Sequence, residues 1–242
     1  MQDILPILIL NARPAAGKSE IIRFLENLDP EARRERFHLG VLHVIDDFPM
    51  IWSWFEEDDL LQKVFHLPRL HSDPDEYFHH QEYWHLLVRR MGLEYAKWLR
   101  DSTSGGTCIL EFSRGEEHGG YEQAYQHLSD EILGKAASLY INVSYEESQR
   151  KNRKRYNPDR PDSILEHGLS DRKLQTLYRD DDWASFSRGD EAYLHLRNFQ
   201  LPYVVFENED DVTTRGGVVF EARLQGALDT LWERYKTIED GR

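Results

Sequence analysis

The stretch Ala12-Arg13-Pro14-Ala15-Ala16-Gly17-Lys18-Ser19 decides how this chain is read. Immediately before it, residues 4–10 are almost wholly apolar with little alternation, the pattern of a strand buried on both faces. Immediately after it, Ile21, Leu25 and Leu28 recur at helical spacing until Asp29-Pro30 stops the pattern. The spacing matches G-x-x-x-x-G-K-[ST], with Ala12 standing where the first glycine would be. The chemistry accounts for each position. Backbone N–H groups of such a loop and of the helix start favour an anion. Gly17 lets the backbone come close to a phosphate, the Lys18 amine reaches β- and γ-phosphates, and the Ser19 hydroxyl is placed to ligate Mg²⁺. Residues Ala12, Arg13, Pro14, Ala15, Ala16, Gly17, Lys18, Ser19 and Glu20 are therefore expected to hold ATP and its Mg²⁺.

Outward from the loop, further strands are expected over 40–45, 107–112, 137–143 and 203–206, each separated from the next by helical pattern. Strands alternating with helices pair in parallel through crossovers. The expected fold is a single α/β domain over 1–242, a three-layer sandwich around a five-stranded parallel sheet. Residues 48–106 read as a helical insertion rich in aromatics. Ser72-Asp73-Pro74 reads as the start of its long helix, with Tyr77, Trp84, Val88, Met91, Tyr95 and Trp98 on one stripe. One helix is expected over about 121–133, two more at about 170–179 and 182–197, and a closing helix carries Phe220, Leu224, Leu228, Leu231 and Tyr235.

Ligands of open α/β sheets bind beyond the carboxyl ends of the strands, and four of the five expected ends carry polar residues. Asp46 and Asp47 are paired carboxylates suited either to accepting a proton from a hydroxyl or to binding Mg²⁺ through water; one is expected to face the site and the other to cap the turn before Pro49. Glu111 is expected to support the metal, and Arg114 either to contact an acceptor or to neutralise Glu111. Ser144-Tyr145-Glu146-Glu147 is a capping box that opens a basic helix bearing Arg150, Lys151, Arg153, Lys154 and Arg155. In an acidic chain this reads as an arginine-bearing lid over 144–180, with Arg153 and Arg155 its catalytic members. Phe48, Trp52, Trp54 and Phe55 are candidates to stack on a planar ligand, Trp52 foremost. His66, His71, His79, His80 and His85 show no metal-ligand spacing and are read as structural, and Asp180-Asp181-Asp182 as a helix cap before Trp183.

Composition excludes several classes. Of 242 residues, 40% are hydrophobic and 31% charged, which argues against a disordered chain. A net charge of −14 disfavours a broad grip on a nucleic-acid backbone. Cys108 is the only cysteine, so an intrachain disulfide and a zinc knuckle are both excluded. No basic leader and no apolar run of about 18 residues is seen. A cytoplasmic protein with a small-molecule acceptor, no membrane partner and room for a homodimer is the expectation.

Taken in chain order, the phosphate loop, the Asp46-Asp47 pair, the Glu111 to Arg114 segment, the basic helix and Glu207-Asn208 resemble the P-loop small-molecule kinases, and the whole chain is similar to the nucleoside and nucleotide monophosphate kinases. The resemblance implies a five-stranded parallel sheet, a helical acceptor-binding insertion and a lid. By position it gives Lys18 and Ser19 to triphosphate and Mg²⁺, Asp46 or Asp47 to the acceptor hydroxyl, and Arg153 and Arg155 to the lid. Where the deoxynucleoside kinases have arginine directly after the strand-three glutamate, this chain has Phe112. The implied activity is Mg²⁺-dependent phosphoryl transfer from ATP to a small acceptor, a nucleoside or nucleotide. The alternative is a P-loop ATPase or nucleotide-dependent switch acting on a macromolecule, although the chain has neither Asn-Lys-x-Asp nor Leu-Ser-Gly-Gly.

Overall fold

Six strands make one sheet in a computed structural model that describes residues 4–102, 106–155, 159 and 168–241. They are β1 (Ile7–Ala12), β2 (Val41–Asp46), β3 (Gly106–Phe112), β4 (Ala136–Asn142), β5 (Tyr193–Leu196) and β6 (Phe199–Glu207), in spatial order β2-β3-β1-β4-β6-β5. The first five in that order are parallel neighbours. β1 lies in the middle and every one of its residues is buried, which is why its sequence is continuously apolar instead of alternating.

The helices are α1 (Lys18–Glu26), α2 (Pro30–Phe37), α3 (Phe48–Lys63), α4 (Glu82–Asp101), α5 (Gly120–Gln126), α6 (Asp130–Leu133), α7 (Tyr145–Arg155), α8 (Asp171–Tyr178), α9 (Trp183–Phe186), α10 (Val212–Arg215) and α11 (Gly217–Asp240). One face of the sheet packs on Ile21, Leu25, Phe220, Leu224, Leu228 and Leu231 of α1 and α11. The other packs on Val88, Met91 and Tyr95 of α4, with Tyr121, Tyr125 and Trp183 beyond. A small separate cluster of Ile51, Trp54, Trp84 and Leu87 joins α3 to α4.

The expected α/β architecture is present, with four corrections. A sixth strand exists, because 182–197 is not one helix. α9 ends at Phe186, and Tyr193-Leu194-His195-Leu196 alternates, with Leu194 and Leu196 buried, then turns through Arg197 at φ 53° into β6 as an antiparallel hairpin. The long helix of the insertion begins at Glu82, not at Pro74. The Asp73 carboxylate instead accepts from the N–H groups of Asp75 and Tyr77, both at 2.9 Å, and closes a local turn. Tyr77 therefore falls off the stripe, while Trp84, Val88, Met91 and Tyr95 keep it. The single helix expected over 121–133 is two, α5 and α6, because Ser129 recaps the chain by accepting from Ile132 N–H at 3.3 Å. Asp182 precedes α9 as expected, yet its carboxylate accepts from Tyr121 and Glu122 N–H at 2.6 and 3.0 Å and so caps α5 instead.

Ser144 does cap α7, accepting from Glu147 N–H at 3.1 Å. Cys108 is wholly buried in β3, and burial pushes its thiol up to about 12, which leaves it unreactive. Among the described residues no helix is long and apolar enough to cross a membrane.

Candidate functional site

The loop between β1 and α1 is held from outside by its carbonyls. Tyr121 Oη donates to Ala12 O at 3.0 Å, Ser148 Oγ to Pro14 O at 2.7 Å, and Asn208 Nδ2 to Ala16 O at 2.8 Å. Arg13 is part of the same scaffold: it meets Asp181 at 2.6 Å and donates to the carbonyls of Val143, Tyr178 and Arg179. What remains for a ligand is the opposite polarity. The first turn of any helix leaves N–H groups unpaired, and Gly17, the N-cap of α1, has no side chain to take them.

Gly17 is required twice over. Its φ of 119° is a conformation L side chains rarely adopt, and a Cβ there would lie 2.7 Å from Thr213 Oγ1 and 2.8 Å from Asn208 Nδ2. Asn208 also bonds Thr213 in both directions, at 2.8 and 3.2 Å, which ties the end of β6 and α10 to the floor of the loop.

Lys18 projects from this loop and is 9% exposed. Its Nζ donates to Ser113 Oγ at 2.7 Å and stands 3.8 Å from Glu111 Oε1. The parallel register places Asp46 beside Glu111, so the ends of β2, β3 and β1 bring Asp46, Glu111 and Lys18 together. Burial and the neighbouring charges of Glu111 and Asp47 raise the Asp46 carboxyl to about 7. Burial also raises Glu111, against the pull of the Lys18 and Arg155 charges.

The two aspartates divide their work differently from the expectation of one in the site and one in the turn. Asp46 does both: its Oδ1 accepts from Phe48 N–H at 2.9 Å while it shares the acidic cluster. Asp47 pairs with Arg114, whose Nη1 donates to its Oδ2 at 2.6 Å; burial raises this carboxyl and the guanidinium opposes the rise. Arg114 therefore neutralises Asp47 and not Glu111, and it also donates to the carbonyls of Ser113 and Trp84.

On the basic helix, Arg153 forms a two-pronged pair with Asp171 on the exposed surface, and Arg150 pairs with Glu147 and Asp211. Lys151 reaches Asp211 at 2.7 Å. Arg155, at the end of α7, is the member whose charge acts on Glu111. Residues 156–158 and 160–167 of the expected lid lie outside the described residues. In the insertion, Trp54 belongs to the apolar cluster and stacks on His71 at 4.9 Å, so it is core; Trp52 is half-buried, 5.9 Å from Phe48.

Ser19 is exposed in the first turn of α1. Among the described residues no group of three or more His, Cys, Asp or Glu is arranged to hold a metal ion. Magnesium beside a triphosphate takes few protein ligands and completes its shell with phosphate and water, so the one hydroxyl of Ser19, with Glu111 3.8 Å from the amine of the adjoining Lys18, fits that demand. Sequence reasoning assigns no role to Ser113, Ser148 or Thr213. Ser113 was visible as a polar residue past a strand end, whereas nothing local marks the other two.

The sequence matches no protein-family model and no curated protein. Among solved structures, the chain is similar to a gluconokinase from Sinorhizobium meliloti 1021, at 10% identity over 98% of each chain with a TM-score of 0.48. It is also similar to TT1252 from Thermus thermophilus, at 15% identity over 95% of this chain and 97% of that one, with a TM-score of 0.45. The six-stranded, mostly parallel sheet, with the Gly17-Lys18-Ser19 turn between β1 and α1, is an α/β architecture of the kind the sequence resemblance implies, with one strand more than the five expected.

Proposed function

We propose that this protein is a small-molecule kinase that moves the γ-phosphoryl group of ATP to a hydroxyl. The observation that carries the reading is the placement of the Lys18 amine, held by Ser113 and Glu111 at the mouth of the phosphate loop and beside Asp46. The loop N–H groups and Lys18 bind and orient the triphosphate. Bound Mg²⁺, held by Ser19 and supported by Glu111, supplies charge neutralisation of the phosphate oxygens. Asp46, with its carboxyl raised to about 7, takes the proton of the attacking hydroxyl. The acceptor oxygen bonds to the γ-phosphorus as the bond to the β–γ bridging oxygen breaks, and ADP leaves with that oxygen. Residues 48–106 form the acceptor side and residues 144–180 the lid, with Arg155 bringing positive charge to the transferring group.

Calorimetry with MgATP and an ADP-release assay test this directly. Wild-type protein is expected to take up MgATP, and Lys18→Ala to lose both uptake and turnover. A Lys18→Ala variant that binds MgATP as the wild type does would refute the assignment.

A further inference from the structure

We infer that Arg13 and Asp181 are positioning residues for nucleotide binding: as a pair they hold the phosphate loop in its anion-ready shape without touching the nucleotide. This rests on the kinase reading above, and it moves Arg13 from the ligands of ATP to the frame behind them.

The Arg13 guanidinium is turned toward protein. Its Nε, Nη1 and Nη2 donate to the carbonyls of Tyr178, Val143 and Arg179 at 3.3, 3.2 and 3.2 Å, and Nη1 stands 2.6 Å from Asp181 Oδ2. Tyr178 and Arg179 end α8, where a helix leaves C=O groups unpaired and favours a cation. Asp181 is fixed in its turn, because Tyr140 Oη and Trp183 N–H both donate to it at 3.1 Å. On either side of it, Asp180 O accepts from Glu116 N–H at 2.9 Å and Asp182 caps α5. Arg13 thus ties the loop to a segment that is itself bonded to β4, α5 and the turn after β3.

The loop needs such a tie. It passes through left-handed backbone at Ala15, φ 55°, and at Gly17, φ 119°. Backbone of that kind persists only where the surroundings over-determine it. Arg13 and Pro14 O are anchored just before Ala15 and Ala16 O just after it. A loop already in shape binds its ligand without the entropy cost of ordering.

Arg13 acting as a ligand would behave oppositely. A cation aimed at phosphate is weakened by a carboxylate beside it, so removing the Asp181 charge would tighten MgATP binding. A positioning pair predicts weaker binding, because Arg13 then loses its strongest anchor.

Calorimetry with MgATP on the full chain tests this with Arg13→Ala, Arg13→Lys, Asp181→Asn and the double variant Arg13→Ala with Asp181→Asn. Kd is expected to rise about 10-fold or more in Arg13→Ala and at least about 3-fold in Asp181→Asn, with the double variant within about twofold of Arg13→Ala. Arg13→Lys should not restore the wild-type Kd, since an ammonium lacks the fork that reaches several carbonyls. Unchanged or tighter binding in Asp181→Asn overturns the inference, and so does full rescue by lysine. A lowered melting temperature in Arg13→Ala with Kd within about twofold of wild type also overturns it, as the mark of a pair that only stabilises the fold. If Arg13→Ala does not fold, the direction of the Asp181→Asn change decides. Wild-type protein that takes up no MgATP is a separate result: it refutes the kinase reading, and this inference with it.

Discussion

Arg114 Nη1 meets Asp47 Oδ2 at 2.6 Å, and the two side chains are only 1% and 5% exposed. This pair fastens the end of β2 to the segment after β3, and through Trp84 O it reaches α4 as well. Two charges out of water stabilise a fold little in net terms, but removing one strands the other. Arg114→Met is therefore expected to cost about 3–5 kcal/mol in urea denaturation, and the double variant Arg114→Met with Asp47→Leu to recover most of that loss. A single variant within about 0.5 kcal/mol of wild type would show that the pair is not sealed in solution.

Asp46 sets a pH dependence of opposite sense to that of a salt-bridged acid. Its folded value of about 7 lies above the ordinary 3.8, because burial and the charges of Glu111 and Asp47 favour the protonated form. The folded state thus keeps a proton that the unfolded chain has already lost between about pH 4 and about pH 7. Stability of the ligand-free protein is expected to fall as pH rises through that window. Asp46→Asn should flatten this part of the profile, measured by urea midpoints at successive pH values. An unchanged slope in Asp46→Asn would mean another group carries it.

Asp58 works the other way. It lies wholly buried in α3, where burial alone would raise its carboxyl. Instead it collects the N–H groups of Leu70, His71 and Ser72 at 2.7, 3.1 and 2.7 Å, and the Ser72 hydroxyl at 2.8 Å. These donors outweigh burial and hold it at about 2, below the ordinary 3.8. Its contribution is present above about pH 4 and is lost as pH falls toward about 2. Asp58→Ala is expected to cost about 3 kcal/mol and to make residues 64–72 the first site of limited proteolysis. An unaltered digestion pattern would show that the loop is fixed by other means.

The contrast between these sites and the phosphate loop explains what could be read from sequence. Gly17-Lys18-Ser19 is legible because its parts are adjacent and its flanking strand and helix have their own periodicities. Arg114 and Asp47 are 67 residues apart, and Lys18 and Ser113 are 95 apart, so no local pattern marks them as partners. Glu111 lay nearer in sequence to Arg114 and was the natural partner to expect, but β2 brings Asp47 there instead. Asp58 is one of several acids on an aromatic helix, and its donors come 12 to 14 residues later. The edge strand β5 was hidden for another reason: four alternating residues are too few to stand against a preceding helical pattern, and only pairing with β6 reveals them.

The phosphate loop itself contains two residues with positive φ that are expected to respond in opposite ways to substitution. Ala15 has φ 55°, a left-handed position where a Cβ costs about 1–2 kcal/mol. Glycine there removes that strain but adds freedom to the unfolded chain worth about 0.4–1 kcal/mol. Ala15→Gly should therefore stabilise the protein by about 0.5–1 kcal/mol, with MgATP uptake retained. Gly17 has φ 119°, and its missing Cβ is the gap between the loop and the side chains of Thr213 and Asn208. Gly17→Ala must push those two side chains away, break the bond from Asn208 to Ala16 O, and turn the first N–H groups of α1 off the anion. Its expected signature is loss of MgATP uptake in calorimetry together with a lowered melting temperature. If Gly17→Ala binds MgATP normally, the turn between β1 and α1 does not hold phosphate, because a cradle made of backbone cannot tolerate that shift.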